Sequence, residues 1–137
     1  MTIDQILESI YARTALTAIG AGAAGAVDAR PVVLQPDHAM ALRRIITDAA
    51  DWVACRLRPC GACGATHNPA DDTLTIDFGP DGPPLPAPMM DTLLREAVVN
   101  AALHITYAAA GIPSDHLIQA DHTLALIRPA RLTPTPY

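Results

Sequence analysis

Cys55, Cys60, Cys63 and His67 are the residues whose types and spacing could hold a metal. Three thiolates and one imidazole can close a tetrahedral zinc site, and such a site would contribute its ligation energy to folding. Cys60-Gly61-Ala62-Cys63 has the two-residue gap of a metal knuckle and a glycine that permits a tight turn. Cys55, however, falls at the end of a helical pattern, and the set is one isolated half-site rather than two Cys pairs. The alternative is one packed cysteine and two loop thiols, and no metal is assigned. A redox role for Cys60 and Cys63 would need the pair at the start of a helix that follows a strand. The pattern here does not offer that.

Gly20 to Gly25 matches the dinucleotide fingerprint Gly-x-Gly-x-x-Gly. That motif works only when a strand feeds it and a helix leaves it, so that backbone N–H groups meet a pyrophosphate. A helix precedes it here and a proline-bounded segment follows, so it reads as an Ala/Gly loop. Asp115, His116, Asp121 and His122 could exchange protons, yet no Ser or Cys nucleophile can be placed beside them. His116 and His122 are spaced to lie on opposite sides of a helix. His104 lies off the apolar stripe of its own helix. Arg43 with Arg44 and Arg56 with Arg58 read as solvated faces, although Arg is also the charged residue that interfaces prefer. No catalytic residue and no cofactor are expected.

The elements that must position these groups are bounded by composition. The 137 residues suit one domain, and half of them are apolar, with aromatics at only 4%. Such an interior is built from closely approaching aliphatic helices. A formal charge of −5, with nine arginines and no lysine, gives no basic field for a phosphate backbone, so sequence-specific nucleic acid is not an expected partner. No window holds the roughly 18 apolar residues of a membrane span, and Met1-Thr2-Ile3-Asp4 has no leader character. Membrane is therefore not expected either. Three cysteines, an odd number, fit a reducing cytoplasm.

Thr2 and Gln5 fit a capping box, and Ile3, Ile6, Leu7, Ile10 and Tyr11 recur at helical spacing, predicting a first helix over about 3–16. Arg30 to Pro36 reads as an extended connector or edge strand. From Asp37 to Leu57 the stripe Leu42, Ile45, Ile46, Ala49, Val53 and Leu57 makes the best amphipathic helix in the chain. Cys60 to Asp72 reads as a loop, and Thr73 to Phe78 alternates as a half-buried strand. Pro88 can lead into a long helix ending before Gly111, with Met90, Leu93, Leu94, Ala97, Val98, Ala101, Ile105 and Ala108 inward. Ser114 can cap a last helix with Leu117, Ala120, Leu124 and Ile127 inward. The expected fold is mainly α: a small bundle of about four helices with a short β-strand or hairpin and extended termini. Residues 1–128 would be the domain and 129–137 a proline-rich tail. The core is expected where Leu42, Ile45, Ala49 and Val53 meet Leu93, Ala97, Ala101 and Ile105.

Ala39 to Val53 and Met90 to Leu103, taken with this order of elements, resemble the head–tail connector, or neck adaptor, proteins of tailed bacteriophages and prophages. The resemblance implies a structural virion protein made in the bacterial cytoplasm. It would dock between portal and tail-side neck proteins as a homo-oligomeric ring that follows the twelve-fold portal symmetry. It brings no catalytic residues. Arg30, Val32 and Leu34 in the connector, with Leu132 and Tyr137 in the tail, are the candidate partner-binding residues. Two other readings remain beside it: a zinc-stabilised helical protein-binding module, and a small enzyme or regulator with an unrecognised site.

Overall fold

The expected capping box forms. The Thr2 N–H donates to Gln5 Oε1 at 3.0 Å and the Gln5 N–H to Thr2 Oγ1 at 3.2 Å, satisfying two helix-start donors reciprocally. Helix α1 follows as Ile3–Ala23. The computed structural model describes residues 1–23, 36–80, 82–83 and 85–127, with side chains at 1–15, 37–80, 82–83 and 85–127. Arg30, Val32, Leu34, Leu132 and Tyr137 therefore lie outside the described residues, as do the tail and nearly all of the connector.

Helix α1 does not stop near residue 16. Gly20 and Gly22 lie inside it, because each glycine costs only about 1 kcal/mol against alanine and the intervening alanines are the best helix formers. The stretch expected to be an Ala/Gly loop is thus helical as far as Ala23. Helix α2 spans Ala39–Arg56 and buries Leu42, Ile46, Ala49, Ala50, Val53 and Ala54. Ile45, expected at the core, is only partly buried, because the buried face is centred one position further round.

The span expected to be a loop contains a strand. β1 (Ala62–Asn68) pairs antiparallel with β2 (Thr73–Phe78) in a two-stranded hairpin. The ladder skips Cys63, since Ala62 faces Phe78 and Gly64 faces Asp77, so a bulge interrupts the first rungs. The turn is held by short polar side chains: Asn68 Oδ1 accepts the Ala70 N–H at 3.0 Å and Asp71 accepts the Thr73 hydroxyl at 2.8 Å. Asp72 has a φ of 59°, a left-handed conformation that Asp tolerates better than most residues. Leu74 and Ile76 of β2 are buried while Thr75 and Asp77 are exposed, the expected alternation. The hairpin is joined to the chain start, where the Ile3 N–H donates to the Asp72 carbonyl at 3.0 Å and the Leu74 N–H to the Met1 carbonyl at 2.8 Å.

Helix α3 (Ala87–Ala109) is the centre of the bundle, in contact with α1, α2 and the short α4 (His116–Leu124). Every residue from Ala97 to Leu103 is buried. The expected one-sided stripe is thus only part of its packing surface. Met90, Leu93 and Ile105 are partly buried at the margins, and Ala108 is exposed. Helix α4 starts one residue later than a Ser114 cap would place it, with Asp115 at the N-cap and no side-chain capping bond. It buries Ala120 and Leu124, and Ile127 follows them into the core, whereas Leu117 is half-buried. The described residues therefore form a mainly α bundle of four helices with a hairpin.

Candidate functional site

The metal-type residues do not converge. Cys55 is exposed on α2 and Cys63 is exposed at the bulge, where its thiol meets the Gly61 carbonyl at 3.7 Å. The Cys60 thiol donates to the Ile127 carbonyl at 3.3 Å, and burial raises its pKa, which disfavours the thiolate that a metal or redox site needs. His67 Nε2 lies 2.8 Å from Asp72 Oδ1. Among the described residues no group of three or more His, Cys, Asp and Glu side chains is placed to hold a metal ion.

That Asp72 carboxylate is the hub of a small structural cluster. Its Oδ1 also accepts a bond from Arg43 Nη2, and its carbonyl is the one that meets α1. Arg43 first, and His67 after it, hold the Asp72 carboxyl below the usual carboxylate range. The contacts tie the turn of the hairpin to α1 and α2. Arg56 likewise spans two elements, donating from Nη2 to Asp121 of α4 at 2.7 Å while its guanidinium carbon lies 5.4 Å from the centroid of the Trp52 ring. Arg44 and Arg58 are exposed, as solvated residues should be.

The arrangement with the most chemical content is a polar seam where α1, α3 and α4 meet. Asn100 is 2% exposed, in the middle of the otherwise apolar stretch of α3. Its Oδ1 accepts from Arg13 Nη1 of α1 at 3.2 Å and is 3.3 Å from His116 Nδ1 of α4. Arg13 also pairs through Nη2 with Glu96 of α3. The His116 ring stacks on Tyr107, with centroids 5.2 Å apart and planes 7° from parallel.

Proton positions follow from this geometry. Arg13 can only donate, so it fixes the amide of Asn100 with oxygen toward the guanidinium. An amide oxygen can only accept, so His116 must carry its proton on Nδ1, leaving the Nε2 lone pair free in the neutral ring. Burial lowers the His116 pKa, Arg13 and His104 lower it further, and Asp115 opposes them. His116 is thus a neutral imidazole with its tautomer set through Asn100 by Arg13. Its partners among the described residues are an amide and a phenol ring, not a nucleophile.

Sequence reasoning assigned His116 a possible acid–base role and separated it correctly from the exposed His122. It missed Arg13, Glu96, Asn100 and Tyr107. One signal was present: Asn100 is a lone amide in the run Ala97-Val98-Val99-Asn100-Ala101-Ala102-Leu103. A polar side chain there must find partners on neighbouring helices.

A second surface feature bears on partners. Ile118 is 58% exposed and Leu126 62% exposed. Ile118 and the exposed His122 lie four residues apart on the side of α4 opposite Ala120 and Leu124, and Leu126 follows in the turn after the helix. No helix of the described residues is long and apolar enough to cross a membrane. Neither a protein-family model, a curated protein nor a solved structure matches the chain.

Proposed function

We propose that the chain is a structural protein that works by binding other macromolecules, and that the macromolecules are further copies of itself and the portal and tail-side proteins of a phage-like neck. The observation that carries the reading is the exposed pair Ile118, on α4, and Leu126, in the turn that follows it. A short helix that buries one face and leaves large apolar side chains exposed on its other face and just past its end offers a second surface for packing. The patterning of α2 and α3 that resembles the neck connectors supports the particular partner. A ring needs a head-to-tail interface in which two different patches of one subunit meet. The exposed pair at α4 supplies one such patch.

The test replaces Ile118 and Leu126 together with Ser in the full chain. Both side chains are exposed, so the melting temperature should change by no more than a few degrees. Self-association followed by sedimentation velocity, and incorporation into neck complexes, should be lost. A double variant that assembles like the parent removes α4 from the interface and with it the support for this reading.

A further inference from the structure

We propose that His116 is a proton-operated latch on α4: a proton taken up by this ring in mildly acidic solution releases the helix from α3. The inference rests on the seam between the helices and needs no partner, so it stands or falls separately from the connector reading.

Helix α4 has nine residues, too few to persist on its own in water. Its position depends on what it packs against. At its far end it is held by Leu124 and Ile127 in the core, by the Cys60 bond to the Ile127 carbonyl and by the Arg56–Asp121 pair with α2. At its start His116 is bonded to Asn100 and stacked on Tyr107, with the half-buried Leu117 and the fully buried Ala120 following it. The preceding turn contains Gly111 at φ 71°, a conformation suited to glycine, and is closed by the Gly111 N–H on the Ala108 carbonyl and the Ile112 N–H on the Tyr107 carbonyl, so the release expected begins beyond Ile112, at the start of α4.

The groups that face His116 come from three elements. From α1 comes the Arg13 guanidinium, which bonds the same Asn100 oxygen; from α3 come Asn100, Tyr107, His104 and Glu96, the last paired with Arg13; from its own helix start comes Asp115. Protonation does not break the Nδ1–H bond, since the imidazolium still donates to Asn100. It places a second cation on an oxygen already shared with Arg13, inside a half-buried seam where Asp115 favours the charge and Glu96 is already engaged by Arg13. Rotating α4 outward hydrates the ring and relieves both penalties. Because the folded pKa is depressed, the closed state is fully favoured above the ordinary histidine value of about 6.5 and loses ground as pH falls below it. One site of this kind can raise the open fraction by at most about ten-fold between pH 7.5 and pH 5.5, because the open form titrates at the ordinary value.

The experiment is amide hydrogen exchange on the full chain at pH 7.5 and pH 5.5, corrected for intrinsic exchange, beside NMR titration of the histidine ring protons. Histidine is the side-chain type that ordinarily titrates in this window, beside the chain's amino terminus, which lies against Leu74 and Asp91 rather than at α4. Protection in α4 should fall several-fold at pH 5.5 while protection in α2 is unchanged, and the α4 amide shifts should follow the midpoint of His116. In His116→Gln, where the side-chain amide keeps a donor for Asn100, α4 protection should be the same at both pH values, whether or not it is lower throughout. The exposed His122→Gln should behave as the parent does. If parental α4 protection is the same at both pH values, or if His116→Gln still loses it, His116 is not the latch. Should the Gln variant fail to fold, the parental titration decides alone: α4 shifts that track another histidine overturn the assignment.

Discussion

Replacing Asn100 with Ala removes the one oxygen on which Arg13 and His116 converge, and the cost can be worked out from its two bonds. A bond from a charged donor is worth roughly 1.5–3 kcal/mol and a neutral one about 0.5–1.5 kcal/mol. The Arg13 side chain is 31% exposed and keeps Glu96, so it can recover part of its loss from water, which brings its share to about 1 kcal/mol. The His116 contact, at 3.3 Å, is at the long end for a hydrogen bond, so its share is about 0.5 kcal/mol. The small void left in a tightly packed helix adds roughly another 0.5 kcal/mol. The sum is about 2 kcal/mol, which for a domain of this size lowers the melting temperature by roughly 6–10 °C. Thermal melts followed by circular dichroism, with urea midpoints beside them, measure it. A double-mutant cycle with Arg13→Met then separates the bond from the void: the pair should fall short of additivity by at least about 0.5 kcal/mol. A melt within about 2 °C of the parent, or strict additivity in the cycle, would refute the claim that the seam holds the helices together.

Two further outcomes follow from burial and charge. Ile46 is fully buried and Ile45 only partly so, so Ile46→Asp should prevent folding whereas Ile45→Asp should leave a destabilised but cooperative melt; equal damage from the two would place the α2 interface wrongly. Asp72→Asn tolerates the same left-handed backbone but gives up the charge shared with Arg43 and His67, and with all three groups about one-third exposed the loss should be about 1 kcal/mol at pH 7. Because the Asp72 carboxyl is held low, the stability it contributes is fully present above the ordinary Asp value of about 3.9 and disappears as pH falls through its folded value. The parent and Asp72→Asn urea midpoints should therefore converge in strong acid, and a gap that persists there would show the contribution is not electrostatic.

How much of this was legible depended on whether the signal was local. The Thr2–Gln5 box and the α2 stripe could be read because each is complete within one or two turns of chain. The strand β1 could not: Ala62-Cys63-Gly64-Ala65-Thr66-His67-Asn68 has little β-propensity, and it becomes a strand because β2 pairs with it and α2 covers it. The end of α1 was misplaced because two glycines outweighed the alanines beside them in the reading but not in the helix. The polar seam was invisible for a different reason. Arg13 and Asn100 are 87 residues apart and Asn100 and His116 are 16 apart, so their meeting depends on how α1 and α4 fold back onto α3.

That dependence also explains why an amide belongs at the centre of this bundle. A helix with one apolar stripe is oriented by the stripe, since any rotation exposes it. From Ala97 to Leu103, α3 is buried on every side, and five of the six residues from Ala97 to Ala102 are alanine or valine, so the packing there has few large knobs to fix rotation or axial position. Asn100 supplies what the small side chains do not. Its oxygen must meet the Arg13 guanidinium on one neighbour and the His116 ring on another, and turning α3 by a single residue position, about 100°, would strand all three polar groups. The cost of mispairing is then larger than the net worth of the bonds themselves, as it is for a lone polar residue that sets the register of a coiled coil. On this argument the seam contributes little to the gross burial of the core and much to the choice of one arrangement of α1, α3 and α4. The same histidine that completes that choice at neutral pH is the group through which a proton can undo it at α4.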